Sequence, residues 1–153
     1  MEKTLSVHEF DVVFHAAAVS DYKVTSVILN NTTVPAGRDC KIPTAEHARL
    51  NLERNPKLID SIKLWSKNNH VLVVGFKLTN SSSQKAINKA VDAQLNRKIQ
   101  EKNVVDYVAH NNLPDITATS HRLNLFHHSG TMYHCESPEL LCDKVIYLME
   151  KAA

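Results

Sequence analysis

The stretch HAAAVSDYKV, residues 15–24, begins as a buried strand and turns polar at Ser20-Asp21-Tyr22-Lys23. A carboxylate, a phenol and an amine where an apolar strand runs out are suited to a ligand with both hydroxyls and negative charge, such as a nucleotide. Two further apolar runs end in the same way. VLVVGF (residues 71–76) ends in Phe76-Lys77, and VVDYVAH (residues 104–110) ends in His110-Asn111-Asn112. In open parallel sheets, ligands bind in the crevice beyond the carboxyl ends of the strands. Polar residues also follow buried strands simply because loops are wet, so the coincidence of three such ends is a stronger signal than any one. Lys98 and Lys102 stand four apart and share a face on a predicted helix. Such a face is either solvated or, if it reaches the crevice, able to hold a polyphosphate.

Other chemistries fit less well. The only glycines are Gly37, Gly75 and Gly130, from which neither GxGxxG nor a P-loop can be built. A Rossmann dehydrogenase and a P-loop kinase are thereby disfavoured. His121, His127, His128, His134 and Cys135 form a cluster of metal-ligand types, but they lie on a predicted hairpin. Alternation sends His127 and His128 to opposite faces, so no metal site is expected and surface histidines are the better account. Cys40, Cys135 and Cys142 lack CxxC spacing and read as reduced structural thiols, with nothing to single out a nucleophile.

The elements that must position these residues alternate between strand and helix. FDVVFHAAA (residues 10–18) and VLVVGF read as strands buried on both faces, and VVDYVAH as a third that Asp106 interrupts. Asn55-Pro56 offers an N-cap and a first-turn proline for a helix carrying Leu58, Ile59, Ile62 and Trp65. The next helix is expected to start near Ser82 or Ser83, with Ile87, Val91, Leu95 and Ile99 as its buried row. A last helix begins at Ser137-Pro138 with Leu141, Val145 and Leu148 inward. HRLNLFHHSGTMYHCE before it reads as a hairpin with Leu123 and Leu125 on one side and a turn near Ser129-Gly130.

This pattern predicts an α/β fold: a Rossmann-like, mostly parallel sheet flanked by helices, with a C-terminal hairpin. Residues 22–45 have no helical period, with turn signals at Asn30-Asn31 and Pro35-Ala36-Gly37, and are read as a projecting flap or lid. HARLNLER (residues 47–54) alternates like a strand that closes it.

Length and composition agree with a single domain over residues 1–153. The chain is 43% hydrophobic and 22% charged, as soluble globular domains are. A net charge of +2 gives no argument for nucleic acid or membrane as a partner. No apolar run approaches the length of a membrane span, and MEKTLSVHEF lacks the core of a signal peptide, so a cytoplasmic protein is expected.

AAAVSDYKV, KIPT (residues 41–44), LERNPKLI, VVGFKL and KNVVDYVAHNNL occur in an order and spacing that resemble phosphopantothenoylcysteine synthetase, the phosphopantothenate–cysteine ligase of coenzyme A biosynthesis. The resemblance runs from about residue 10 to the last helix. It implies a two-step condensation. The carboxylate of 4′-phosphopantothenate attacks the α-phosphate of CTP, or of ATP in eukaryotic members, expelling pyrophosphate to give an acyl-nucleotidylate; the amine of cysteine then displaces the nucleoside monophosphate. Mg²⁺ and cations would neutralise the triphosphate, and a lid would keep water from the activated acyl group.

Carried over residue by residue, the resemblance implies that His15, Ala16 and Ala17 lie along the nucleotide and that Asp21 accepts hydrogen bonds from the ribose. Lys41 would meet the phosphates from the lid and act in catalysis with Asn111. Glu53, Arg54, Asn55 and Pro56 would contact the base, Phe76 would line its pocket, and Lys98 and Lys102 would hold the phosphates. Family members dimerise near the flap, which implies a homodimer, or a heteromer with a chain carrying the glycine-rich half.

The sequence departs from the family in three places. It carries none of the family's N-terminal glycine-rich segment, which binds phosphopantothenate. Pro43-Thr44 stands where many members have two lysines or two serines, and Asn111-Asn112 replaces a frequent Asn-Asp. The alternative is therefore a non-catalytic nucleotide-binding or regulatory subunit related to the ligase.

Overall fold

A computed structural model describes residues 1–37 and 40–152. Residues 38 and 39 of the expected flap lie outside the described residues. The chain divides into two compact units, Met1–Ala16 with Ile59–Ala153, and Ala17–Leu58.

The larger unit opens with α1 (Glu2–Val7), which sequence patterning did not anticipate, and β1 (Val12–His15). The smaller unit is a three-stranded antiparallel sheet of β2 (Tyr22–Leu29), β3 (Thr32–Pro35) and β4 (Ala48–Arg54), in the order β3-β2-β4. Its hairpin turns at Asn30 and Asn31, both at positive φ (44° and 72°). Asparagine tolerates that region better than other non-glycine residues, so the expected turn forms there. HARLNLER closes the sheet as β4.

The chain then re-enters the larger unit. The helix expected from Pro56 is shorter than its spacing suggests: a 3-10 turn (Leu58–Ser61) leads into one α-helical turn, α2 (Ile62–Trp65). Asn55 does not cap it. Its N–H donates to the Asp21 carbonyl at 2.9 Å and its amide nitrogen to the Ser20 carbonyl at 3.0 Å, so it clasps the start of β2 to the end of β4 instead.

β5 (Leu72–Thr79) and α3 (Gln84–Leu95) follow. Ser83 caps α3, its Oγ accepting from the Ala86 N–H at 3.4 Å, and Ile87, Val91 and Leu95 are buried. The expected helix does not continue to Ile99. It ends at Asn96, and residues 98–103 form a ribbon of β6 (Lys98–Ile99) and β7 (Lys102–Asn103) around Gln100 and Glu101, both at positive φ. Ile99 still packs on the same core as Leu95, which is why its spacing imitates a fourth helical row.

β8 (Tyr107–Asn112) starts after Asp106 rather than running through it. Asp106 Oδ2 accepts from the Val73 N–H and Oδ1 from Lys63 Nζ, each at 2.7 Å, so the carboxylate secures the entry to two strands. A 3-10 turn (Leu113–Asp115), the hairpin of β9 (Leu123–His127) and β10 (Met132–Cys135), and α4 (Pro138–Ala152) complete the unit. Gly130 takes the left-handed position in the hairpin turn (φ 81°), as its sequence suggests.

The main sheet has the order β1-β5-β8-β9-β10. β1-β5 and β5-β8 are parallel, whereas β8-β9 and β9-β10 are antiparallel. The sheet is therefore mixed rather than mostly parallel, because the C-terminal hairpin joins it as two full members. β1 lies at its edge and is half-buried throughout, not enclosed on both faces. One core holds Leu5, Ile62, Val73, Val91 and Leu95 against one face; the other sets Val74, Ala109 and Leu125 against Leu141 and Val145 of α4.

Candidate functional site

In the larger unit the parallel register ends β5 and β8 together, Thr79 beside Asn112, whereas β1 stops earlier, level with the middle of β5. His15 is the partner of Gly75, and Lys77 the partner of His110. Gly75 is buried, and a Cβ there would approach Ile59 and Val105 to 3.0 Å, so the sequence needs glycine for close packing. His15 is half-buried, and its Nε2 is buried without a hydrogen-bond partner. Ala16 follows it, exposed. Phe76 is half-buried against the α4-side core. This rim carries His15, Phe76, Lys77 and His110-Asn111-Asn112; the first strand stops at His15, so Asp21-Tyr22-Lys23, expected at its end, lie instead at the start of β2 in the smaller unit.

The lysine pair is arranged otherwise than expected. Lys98 and Lys102 lie on different strands of the ribbon, where Lys98 faces Asn103 and Ile99 faces Lys102. Cross-strand partners share a face, so the two lysines sit on opposite faces of the ribbon instead of along one helical stripe. Both are exposed. Arg97, just before them, forms a bidentate pair with Asp60 at 2.6 and 2.5 Å, which ties the end of α3 to the 3-10 turn and holds the guanidinium pKa above its ordinary value.

In the smaller unit, Ala17 and Asp21 are exposed, and the Asn55 clasp brings Asp21 against the turn of Glu53, Arg54, Asn55 and Pro56. Tyr22 and Arg54 are register partners, as are Lys23 and Glu53, whose charges meet at 3.2 Å. Lys41 is exposed on the irregular segment between β3 and β4.

A network at the end of β8 was not legible in the sequence beyond the polar triplet itself. Asn112 Oδ1 accepts from the Ser81 N–H and the Thr79 hydroxyl, and its Nδ2 donates to the Ser81 carbonyl. Thr79 Oγ1 lies 2.9 Å from His110 Nε2. His110 is 3% exposed; burial pushes its pKa down, Asp115 opposes that shift and Lys77 adds to it. Asn111, half-buried, meets His121 at 2.8 Å.

The histidines of the C-terminal hairpin go separate ways. His127 meets Ser129, His128 donates to the Val105 carbonyl, and His134 meets Asn124. Among the described residues no three His, Cys, Asp or Glu side chains are grouped to hold a metal. Burial raises the thiol pKa of Cys135 and of Cys142, which opposes a nucleophilic role for either. No helix among the described residues is long and apolar enough to cross a membrane.

The family described as DNA/pantothenate metabolism flavoprotein C-terminal domain matches residues 1–146. The coenzyme A biosynthesis bifunctional protein CoaBC of Thermococcus kodakarensis is 33% identical over 97 residues, which make up 63% of this chain and 21% of that protein. The chain thus corresponds to about a fifth of that relative's length. The crystal structure of the DNA/pantothenate metabolism flavoprotein from Streptococcus pneumoniae has the same fold, with a TM-score of 0.73 over 99% of this chain and 67% of that one, at 21% identity. With a family match spanning both units and the mixed sheet shared over nearly its whole length, the chain belongs to the DNA/pantothenate metabolism flavoprotein C-terminal domain family, the phosphopantothenoylcysteine synthetase family.

Proposed function

We propose that the chain is the nucleotide-binding half of a phosphopantothenate–cysteine ligase, which activates 4′-phosphopantothenate with CTP and condenses the product with cysteine. The observation that carries this reading is the rim of polar strand ends, with the unpartnered imidazole nitrogen of His15 beside Gly75, in a chain that the family matches over residues 1–146. A buried polar atom without a partner costs about 1–3 kcal/mol, which a ligand hydrogen bond would recover.

On this reading Ala16 and Ala17 let the nucleotide approach the backbone, and Asp21 receives the ribose hydroxyls. Asn55 supports that role by holding the carbonyl of Asp21. Glu53, Arg54, Pro56 and Phe76 form the surroundings of the base. Lys98, Lys102 and Lys41 neutralise phosphate charge, while Lys41 and Asn111 assist the chemistry. Mg²⁺ would be carried by the phosphates, as is usual for a cation that keeps much of its water. The other half of the active site would come from a segment or chain bearing the glycine-rich loop.

An assembly through the flap is part of the proposal. Val24 and Leu52 are register partners, and with Tyr22 and Leu50 they line one face of the three-stranded sheet while remaining 40–58% exposed. Such an apolar patch suits a second copy or a related chain. Light scattering should find a dimer that Leu52→Asp splits; a monomer at all concentrations would remove this element.

Calorimetric titration with Mg-CTP and Mg-ATP tests the nucleotide site. Saturable binding is expected, weakened at least about tenfold by Asp21→Ala and by Lys41→Ala, each the loss of a charge-assisted contact. Pyrophosphate release dependent on phosphopantothenate should then appear when a chain carrying the glycine-rich half is added. Binding without release in the completed assembly would favour the second reading, a non-catalytic nucleotide-binding or regulatory subunit. The observation behind that alternative is Asn112, whose amide oxygen accepts from Thr79 and Ser81 and whose nitrogen donates to the Ser81 carbonyl, a structural role.

A further inference from the structure

A cavity of about 640 Å³ opens within the larger unit beyond the ends of β8, β9 and β10. Its lining includes His110, Asn111, Asp115, Arg122, His134 and Glu136. None of its lining belongs to the proposed nucleotide contacts, and only Asn111 is among the residues proposed to assist the chemistry. His110, Asn124 and His134 are successive register partners, so they form one row across three strands on one face.

The hydrogen bonds determine which nitrogen of His110 carries the proton. Asn112 Oδ1 is identified as the oxygen because it accepts from the Ser81 N–H at 3.1 Å, while Nδ2 donates to the Ser81 carbonyl at 3.1 Å. The Thr79 hydroxyl must therefore donate to that oxygen, 2.9 Å away. Its single proton is then spent, so across the 2.9 Å contact with His110 it accepts and Nε2–H donates. In the neutral ring Nδ1 is left as a bare acceptor. That atom is buried and without a partner, on a side chain that is 3% exposed. It needs an N–H or O–H donor.

The charges around it narrow the donor. Asp115 has no ion-pair partner among the described residues and is near enough to act on His110. Arg122 gives its Nε to Glu136 at 2.7 Å, which leaves its terminal amino groups without a protein acceptor among the described residues. One lone acceptor and one carboxylate suit an ammonium group, and a free guanidinium edge suits a carboxylate.

We propose that this cavity binds a small α-amino acid, with its ammonium directed to His110 Nδ1 and Asp115 and its carboxylate to Arg122. The site rests on the cavity and its hydrogen bonds alone. That the amino acid is cysteine, the amine of the second step, rests on the ligase reading above.

The test is an NMR titration of the ¹⁵N-histidine-labelled chain with L-cysteine under reducing conditions, followed through the unprotonated imidazole nitrogen of His110. L-cysteine should shift that resonance saturably. The dissociation constant should rise at least about tenfold for N-acetyl-L-cysteine and L-cysteine methyl ester, and likewise in Asp115→Asn and Arg122→Ala. Arg122 is 70% exposed, so its variant is expected to fold even if replacement of His110 does not. A resonance that does not respond, as when only water occupies the site, overturns the proposal. So does equal binding of the blocked and free amino acids. Nucleotide binding is titrated separately: nucleotide binding with no amino-acid response overturns this inference and spares the ligase reading, whereas the reverse supports the inference and removes that reading.

Discussion

The two compact units hold their proposed contacts by different means. In the larger unit the residues just before Phe76 and His110 are buried, Val73, Val74 and Gly75 ahead of the first and Val108 and Ala109 ahead of the second, whereas His15 ends the half-buried β1. In the smaller unit, only Val27 and Leu29 are buried among the described residues, and β4 is exposed at all seven positions. The larger unit therefore derives its order from apolar burial on two faces, while the smaller unit depends on backbone ladders and the Asn55 clasp. Segments with little apolar burial open locally at low free energy.

The largest contrast should come from two leucine truncations. Leu141→Ala, at a fully buried position, is expected to lose about 2–5 kcal/mol of stability, whereas Leu50→Ala, 58% exposed in the single chain, should stay within about 0.5 kcal/mol at concentrations where the chain is monomeric. Urea midpoints measure both, and equal losses would erase the distinction between the units. Next in size is Asp106→Ala, which removes the acceptor for the Val73 N–H and the partner of Lys63 in a half-buried setting. A loss of about 2–3 kcal/mol is expected in the same assay. A change below about 0.5 kcal/mol would mean that water replaces the carboxylate.

A pH series sharpens the contrast further. The pKa of His110 is lowered in the folded state, so above about pH 6.5 both states leave it neutral and stability is full. As pH falls below 6.5 the unfolded chain takes up the proton first, and stability declines toward the folded pKa, by at most about 1.4 kcal/mol per pH unit from this residue. Unfolding free energies from pH 8 to 5 should show that slope in the parent and a shallower one in His110→Gln. Identical slopes would dissociate His110 from the acid response.

The smallest expected effects compare two turns. Glu101→Gly should stabilise by about 0.4–1 kcal/mol, since a glutamate at φ 62° gains from glycine's freedom. Asn31→Gly should gain only a few tenths of a kcal/mol, because asparagine already accepts that region. Thermal midpoints that rise equally would show that side-chain type does not distinguish the two hairpins.

Much of the site was legible because the signals were local. Asn30-Asn31 announced a turn by its own chemistry, Ser83 announced a helix start, and the apolar runs ending at Phe76 and His110 announced buried strands with polar ends. The ribbon at residues 98–103 was not legible. Gln100 and Glu101 favour helix and carry no turn signal, and Ile99 falls in step with Ile87, Val91 and Leu95. The left-handed turn is imposed from outside, by Arg97 bound to Asp60, by the Val104 N–H bonded to the Arg97 carbonyl, and by Val104 and Val105 buried in the core. Asp106 and Asn55 were misread for a related reason: each looked like a local breaker or cap, and each is spent on a distant backbone group.

By itself, then, the sequence determined the α/β class, the Asn30-Asn31 turn and closing strand of the smaller unit, the C-terminal hairpin, the inner faces of α3 and α4, and the family that the comparison with known proteins bears out. All of these follow from residue type and short-range period. Only the tertiary structure decided that the sheet is mixed, that Lys98 and Lys102 face apart, and that His110 is a buried acceptor with its proton on Nε2. These depend on strand register and on hydrogen bonds between residues some thirty positions apart, such as Thr79 with His110, which no local pattern encodes.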